Sequence, residues 1–211
     1  MSRKTVFLTG GTGNMGWAGF QELYARKDRF DIRLLARDSK KNHKLLDRYA
    51  DDPAVTVVWG DLTRYEDVLE GVKGSDYVLH VGGMVSPAAD YYPEKTLKVN
   101  VLAAENVVKA VLAQPHKDSM KVVYIGSVAQ YGDRNPPRHW GGADEPQTPA
   151  KFDMYALSKI RSEEIFADSG LKNWVSLRQS GILYPGILSV VNPTAFHVPM
   201  AGVLEWATIE D

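Results

Sequence analysis

The segment Val6-Phe7-Leu8-Thr9-Gly10-Gly11-Thr12-Gly13-Asn14-Met15-Gly16 limits the folds open to this chain more than any other stretch. A short apolar run, suited to a buried strand, ends in a cluster of glycines, and residues 17–24 read as a helix. Glycines at 10, 13 and 16 allow a sharp turn, close approach of a diphosphate to the backbone and tight packing of helix on strand. The start of the helix adds free N–H groups and the positive end of the helix dipole, both suited to phosphate. The spacing is G-x-x-G-x-x-G, and the same residues also suit a tight turn that holds nothing. No Gly-Lys-Ser/Thr follows, which argues against a Walker-type phosphate loop.

Strand-like and helix-like stretches alternate along the rest of the chain, the pattern of a doubly wound parallel α/β sheet. Residues 32–36, 55–59, 77–81, 121–125 and 174–177 read as strands. Residues 42–49, 65–69, 94–112 and 152–167 read as helices, and the stretch around Ser86-Pro87 and the Gly/Pro-rich segment 132–149 as loops. A last strand is expected within 204–209, after Tyr184-Pro185-Gly186. A length of 211 residues suits one α/β domain with at most a small appendage. The net charge of −1 offers no basic stripe for nucleic acid. The absence of cysteine excludes disulfides, thiolate metal sites and a cysteine nucleophile. The first strand begins too early to leave room for a signal peptide, and no apolar run reaches membrane-spanning length. The expectation is a soluble cytoplasmic protein with no nucleic-acid or membrane partner.

The second strand of such a sheet meets the adenosine ribose of a bound dinucleotide, where an Asp or Glu often holds the 2′-hydroxyl of NAD. Here that strand ends in Arg37, whose guanidinium can pair with a 2′-phosphate, and Lys40 and Lys41 follow. This favours NADP; Asp38 keeps NAD open, and a solvated basic loop is the other explanation. Asp61, after the third strand, can accept from the adenine amino group or cap the helix that starts near Tyr65. Gly82-Gly83 can let a cofactor lie against bare backbone or serve only as a flexible turn.

Tyr155 and Lys159 are four apart on a helix and share a face. An ammonium beside a phenol favours the phenolate, which would tune Tyr155 for proton exchange with a carbonyl or alcohol near neutral pH. Ser127 follows the fifth strand, at the sheet edge where ligands sit in this architecture. It can hold a substrate oxygen or cap a turn. His43, His80, His116, His139 and His197 are dispersed without metal-ligand spacing and read as loop or surface residues, so no metal is expected. Tyr91, Tyr92 and Trp140 read as loop aromatics that cover the core or line a pocket. Asn192-Pro193-Thr194 has proline in its middle position and is not a glycosylation site.

Taken in order, these motifs resemble the extended short-chain dehydrogenase/reductases, the NAD(P)-dependent epimerase/dehydratase group. The resemblance rests on Thr9 to Gly16, Gly60-Asp61-Leu62-Thr63, Asn100 to Val107, Tyr124 to Gly132, Asp144-Glu145-Pro146, Tyr155-x-x-x-Lys159 with Glu163 or Glu164 after it, and Arg178 to Gly186. It implies a Rossmann fold, with a dinucleotide-binding domain over 1–186 that carries the catalytic residues. Residues 187–211 would begin a substrate-binding region that continues in relatives, so a truncated piece lacking most of that region is expected. Tyr155 would be the general acid/base, Lys159 would lower its pKa and hold the nicotinamide ribose, Ser127 would orient the substrate oxygen, and Asn100 would support the site or act only as a backbone clasp. Cofactor contacts would come from Gly10, Thr12, Gly13, Asn14, Met15, Gly16, Arg37, Asp61, Leu62, Val81, Gly82, Gly83, Tyr155, Lys159, Ser180, Gly181 and Ile182. The implied function is an NAD(P)-dependent oxidoreductase or epimerase acting by hydride transfer on a small carbonyl, alcohol or sugar-like substrate. The alternative is a dinucleotide-binding regulatory module or a catalytically incomplete fragment. Relatives often dimerise through the helices read here at 94–112 and 152–167, which implies a homodimer.

The chain also departs from the family pattern. Gly82-Gly83 stand where alanines are frequent, and Gly126 stands where a Ser or Thr usually precedes the catalytic serine. Val128-Ala129 replace the Asp-Glu pair that marks sugar-nucleotide 4,6-dehydratases, which argues against that activity.

Overall fold

The computed structural model describes residues 2–134, 142–187 and 206–210. Six parallel strands form one sheet: β1 (Lys4–Thr9), β2 (Phe30–Ala36), β3 (Val55–Trp59), β4 (Tyr77–His80), β5 (Lys121–Ser127) and β6 (Trp174–Gln179), in the order β3-β2-β1-β4-β5-β6. The helices are α1 (Asn14–Tyr24), α2 (Lys40–Leu46), α3 (Tyr65–Val72), the single turn α4 (Ala88–Tyr91), α5 (Pro93–Leu112) and α6 (Met154–Asp168). The doubly wound α/β fold expected from the sequence is therefore present.

Alternation along β1 sends neighbouring side chains to opposite layers. Phe7 enters one core with Val68 and Val72 of α3, Val107 and Val111 of α5, Tyr124 of β5 and Phe166 of α6. Leu8 enters the other with Phe20 of α1, Ile32 and Leu34 of β2, Leu46 and Tyr49. Both faces of the central strands are covered, which is why they are apolar almost throughout. Each fully buried side chain of this size contributes about 1.5–3 kcal/mol. After β1 the chain builds outward to β2 and β3, and β4 then returns to the other side of β1. The carboxyl ends of β1 and β4 thus flank the crevice where the connections part, the place where such sheets bind ligands.

Several boundaries differ from the sequence expectation. α1 begins at Asn14 rather than 17, because Gly13 is extended (φ −91°, ψ 170°) and its carbonyl accepts from Trp17 N at 2.7 Å. β5 continues to Ser127, which pairs in register with Gln179, so Ser127 ends the strand instead of following it. The stretch expected as one helix over 42–49 is α2 followed by a 3₁₀ turn at Asp47–Tyr49. α4 lies within an expected loop. β7 (Gly181–Leu183) was not expected; it pairs in parallel with β8 (Trp206–Thr208), the described part of the last expected strand. His80 is not a surface residue: it lies in the core, 3% exposed, beside Tyr124 and Phe166. His139, His197, Trp140 and Asn192-Pro193-Thr194 lie outside the described residues. Among the described residues no helix is long and apolar enough to cross a membrane, and no cluster of metal-ligating side chains occurs.

Candidate active site

The turn between β1 and α1 packs against the end of β4. Gly10 adopts φ +74°, and a Cβ there would lie 2.7 Å from Cα of Gly82. A Cβ on Gly16 would come within 2.1 Å of the Gly10 carbonyl, so helix and turn meet through bare backbone. Thr9 secures this contact: its Oγ1 accepts from Gly82 N at 3.0 Å and meets His80 Nδ1 at 2.9 Å. Burial holds the His80 imidazole near a pKa of about 3, with the charge of Lys159 adding to the effect, so the ring is neutral. Gly82 therefore serves the turn itself, and Gly83 abuts the Asn100 side chain. Val81 packs with the Leu8 core.

Gly13 and Asn14 are exposed, while Thr12 and Met15 are half-buried, and the Gly13 N–H closes the turn by donating to the Gly10 carbonyl at 2.9 Å. No side chain caps α1 and no acidic residue occupies its first turn. Unfilled space, helix donors and a positive dipole end make this turn fit the diphosphate of a dinucleotide.

Arg37 is exposed directly after β2. Its carbonyl accepts from Asn42 Nδ2 at 2.8 Å, and Ser39 caps α2, which begins with exposed Lys40 and Lys41. Asp38 is engaged by His43 Nε2 at 2.8 Å, and His43 stacks on Trp59 with ring centroids 3.8 Å apart. Asp61 does not cap α3, whose N-cap is Arg64. It shapes its own turn, accepting from Thr63 N at 2.8 Å and Thr63 Oγ1 at 2.7 Å. Burial would raise the Asp61 carboxyl pKa, but the Thr63 bonds and the nearby Arg37 and Arg64 outweigh it and hold the group below its ordinary value. The carbonyl of Leu62 accepts from Asn106 Nδ2 at 2.8 Å, which ties this turn to α5.

Ser127, Tyr155 and Lys159 converge at the carboxyl edge of the sheet. Asp153 caps α6 by accepting from Ala156 N at 2.8 Å, and this sets Tyr155 in the first turn and Lys159 one turn on. Lys159 Nζ is buried; it donates to the Ile125 carbonyl at 2.7 Å and lies 5.8 Å from the centre of the Tyr155 ring. Burial lowers its pKa to about 8. Burial raises Tyr155 above its ordinary value, hydrogen bonding to Ser127 opposes this, and the Asp153 charge adds to it. In this structure burial is the largest influence on the Tyr155 pKa, ahead of Ser127 and Asp153. Asn100 is a clasp. Its Oδ1 accepts from Met84 N at 2.7 Å, and its Nδ2 donates to Met84 O at 3.0 Å and to Ser158 Oγ at 2.9 Å. These bonds make it a residue that positions α5, α6 and the loop after β4. Ser180 joins β6 to β7, and Gly181 and Ile182 lie in the small second sheet.

Behind Ser127 lies a polar network that motif matching does not show. Glu163 of α6 accepts from Gln130, Ser176, Arg178 and Gln147, and Arg178 also reaches the Tyr131 hydroxyl and the Ala143 carbonyl. Periodicity is the signal that could reveal it. Glu163 follows Lys159 by one helical turn, and Ser176 and Arg178 share one face of β6.

Residues 6–179 match the NAD dependent epimerase/dehydratase family. The UDP-glucose 4-epimerase of Rickettsia bellii (strain RML369-C) is 35% identical over 112 residues, 51% of this chain and 32% of that protein. The UDP-glucose 4-epimerase of Rickettsia canadensis (strain McKiel) is 37% identical over 114 residues, 52% of this chain and 33% of that protein. The Bordetella bronchiseptica enzyme WbmH, solved in complex with NAD+, superimposes with a TM-score of 0.70 at 25% identity, covering 87% of this chain and 58% of that one. The UDP-N-acetylglucosamine 4-epimerase from Methanobrevibacter ruminantium M1 shares the fold, with a TM-score of 0.73 at 20% identity, over 100% of this chain and 70% of that one. The match to the curated relatives spans about a third of their length. From the glycine turn at β1 to the end of β6, fold and sequence agree: this chain belongs to the NAD dependent epimerase/dehydratase family.

Proposed function

We propose that the chain binds NAD(P) at the β1–α1 turn and supplies the proton-handling residues of an oxidoreductase or epimerase acting at a secondary alcohol or carbonyl. The carrying observation is the convergence of Ser127, Tyr155 and Lys159 at the sheet edge that also holds the glycine turn. The Rickettsia relatives favour a sugar nucleotide as substrate and epimerisation as outcome.

When bound, the dinucleotide supplies hydride acceptance and return. Tyr155 exchanges a proton with the substrate oxygen while that hydride moves, and Ser127 orients the same oxygen. At neutral pH a raised Tyr155 pKa keeps the phenol protonated, the form that gives a proton to a carbonyl. The ammonium of Lys159 stabilises the phenolate left behind. Asn100 holds Met84 and Ser158 in place beside the site.

NADP is the proposed dinucleotide, because Arg37 is open to a 2′-phosphate while Asp38 is engaged by His43. A homodimer is proposed across the outer face of α5 and α6. Leu97, Val101, Leu102 and Ile165 line an apolar groove there, with Glu94 and Glu105 beside Lys98 and Arg161 as pairing charges for a second copy.

Turnover and coenzyme binding test this reading together. Tyr155→Phe should retain coenzyme binding and lose about 10²–10⁴-fold in turnover with an accepted substrate. Arg37→Ala should lower NADPH affinity about tenfold and leave NADH affinity unchanged, since one charge-assisted pair is removed. Full turnover by Tyr155→Phe would refute the acid/base role, and unchanged NADPH affinity in Arg37→Ala would refute the phosphate clamp.

A further inference from the structure

We propose that Gln130, oriented by Glu163, is a positioning residue that fixes Ser127 opposite the Tyr155 hydroxyl. The inference deepens the proton-handling role given above to Ser127 and Tyr155.

Gln130 is fully buried, so water cannot complete its amide. Its Nε2 donates to Glu163 Oε2 at 3.0 Å, and its Oε1 accepts from Ser127 N at 2.8 Å. The carboxylate accepts only, which sets the amide orientation: the NH₂ must face Glu163 and the carbonyl must face Ser127. Glu163 is itself held by Ser176 Oγ at 2.6 Å, Arg178 Nε at 3.2 Å, a second bond from Arg178 and Gln147 Nε2 at 3.4 Å. Burial would raise the Glu163 pKa, but Arg178, Ser176 and Gln130 outweigh it, and the group stays ionised.

Gly126 gives the network its room. A Cβ there would lie 2.7 Å from Gln130 Oε1 and 2.9 Å from Ser176 Oγ. The departure from the family's Ser or Thr at this position is thus matched by Gln130. Ser127 Oγ accepts from Ala129 N at 3.2 Å, which spends one lone pair and leaves its proton and second lone pair for Tyr155. With N–H and Oγ both fixed, Ser127 has one orientation. The charged groups near Tyr155 are Asp153 on its own helix and Lys159 one turn away, and neither touches Gln130.

Amide hydrogen exchange and ¹³Cζ-tyrosine NMR on the whole chain test this without coenzyme or substrate, so the outcome does not depend on whether the chain turns over. In Gln130→Met, the Ser127 amide should exchange at least about tenfold faster while Val122 and Tyr124 keep their protection. The Tyr155 resonance, assigned with Tyr155→Phe, should move towards its position in Ser127→Ala. Where Gln130→Met does not fold, Glu163→Gln makes the same comparison by removing the acceptor-only partner that fixes the amide. A protected Ser127 amide, an unmoved Tyr155 resonance, or loss of protection along all of β5 would each overturn the proposal.

Discussion

Burying Lys159 costs the fold stability at neutral pH. Its pKa falls from 10.5 to about 8 because its ammonium is shut away from water, a difference of about 3 kcal/mol against the folded state while the group is charged. The cost is complete below pH 8 and disappears as pH rises from there towards 10.5, where the unfolded chain also loses the proton. Lys159→Met removes the charge but strands the Ile125 carbonyl, which loses a charge-assisted bond worth about 1.5–3 kcal/mol. The variant should therefore match the parent or exceed it by up to about 1.5 kcal/mol at pH 7, and lose ground to it above pH 8. Urea unfolding at pH 7 and pH 10 measures it; an advantage independent of pH would contradict the cause given. The proton-handling role proposed for Lys159 would account for this cost. The spacing of Tyr155 and Lys159 reveals that they share a face. It carries no information about desolvation, which is why their pKa order was not legible from sequence.

At the scale of elements, the strands were legible because two covering layers make each one apolar. β3 has the bounds expected, and β2, β5 and β6 extend the expected cores by two residues each. Glycine hid the start of α1, since Gly16 disfavours a helix locally but lets its first turn pack on Gly10. Gly126-Ser127 reads as the end of the apolar run of β5, yet the ladder continues to the pair Ser127–Gln179. The network of Gln130, Gln147, Glu163 and Arg178 joins four separate segments, so no local window contains it. Asn100 was legible as a motif residue, while its role as clasp depends on Met84 and Ser158, brought to it only by folding. The outer face of β6 leaves Val175 and Leu177 exposed, unlike the central strands.

Across the whole molecule, every feature assigned to chemistry lies at one edge. The glycine turn, Arg37, Asp61 and Ser127 follow or end strands at the carboxyl side of the sheet, where the first turn of α6 brings Tyr155 to Ser127. The proposed diphosphate site is the open N-terminus of α1. Gly13→Asp tests it most directly. The backbone at Gly13 is extended and a Cβ would meet only the Gly10 carbonyl at 3.4 Å, so the side chain fits without strain. An aspartate there caps α1 and should hold or raise stability by a few tenths of a kcal/mol. The same carboxylate occupies the donors and repels the diphosphate. Titration of wild type and Gly13→Asp with NADPH and NADH, followed by nicotinamide fluorescence, should give saturable binding to the first and at least about tenfold weaker binding to the second. Equal affinity in the two proteins, or no saturable binding by wild type, would contradict the account.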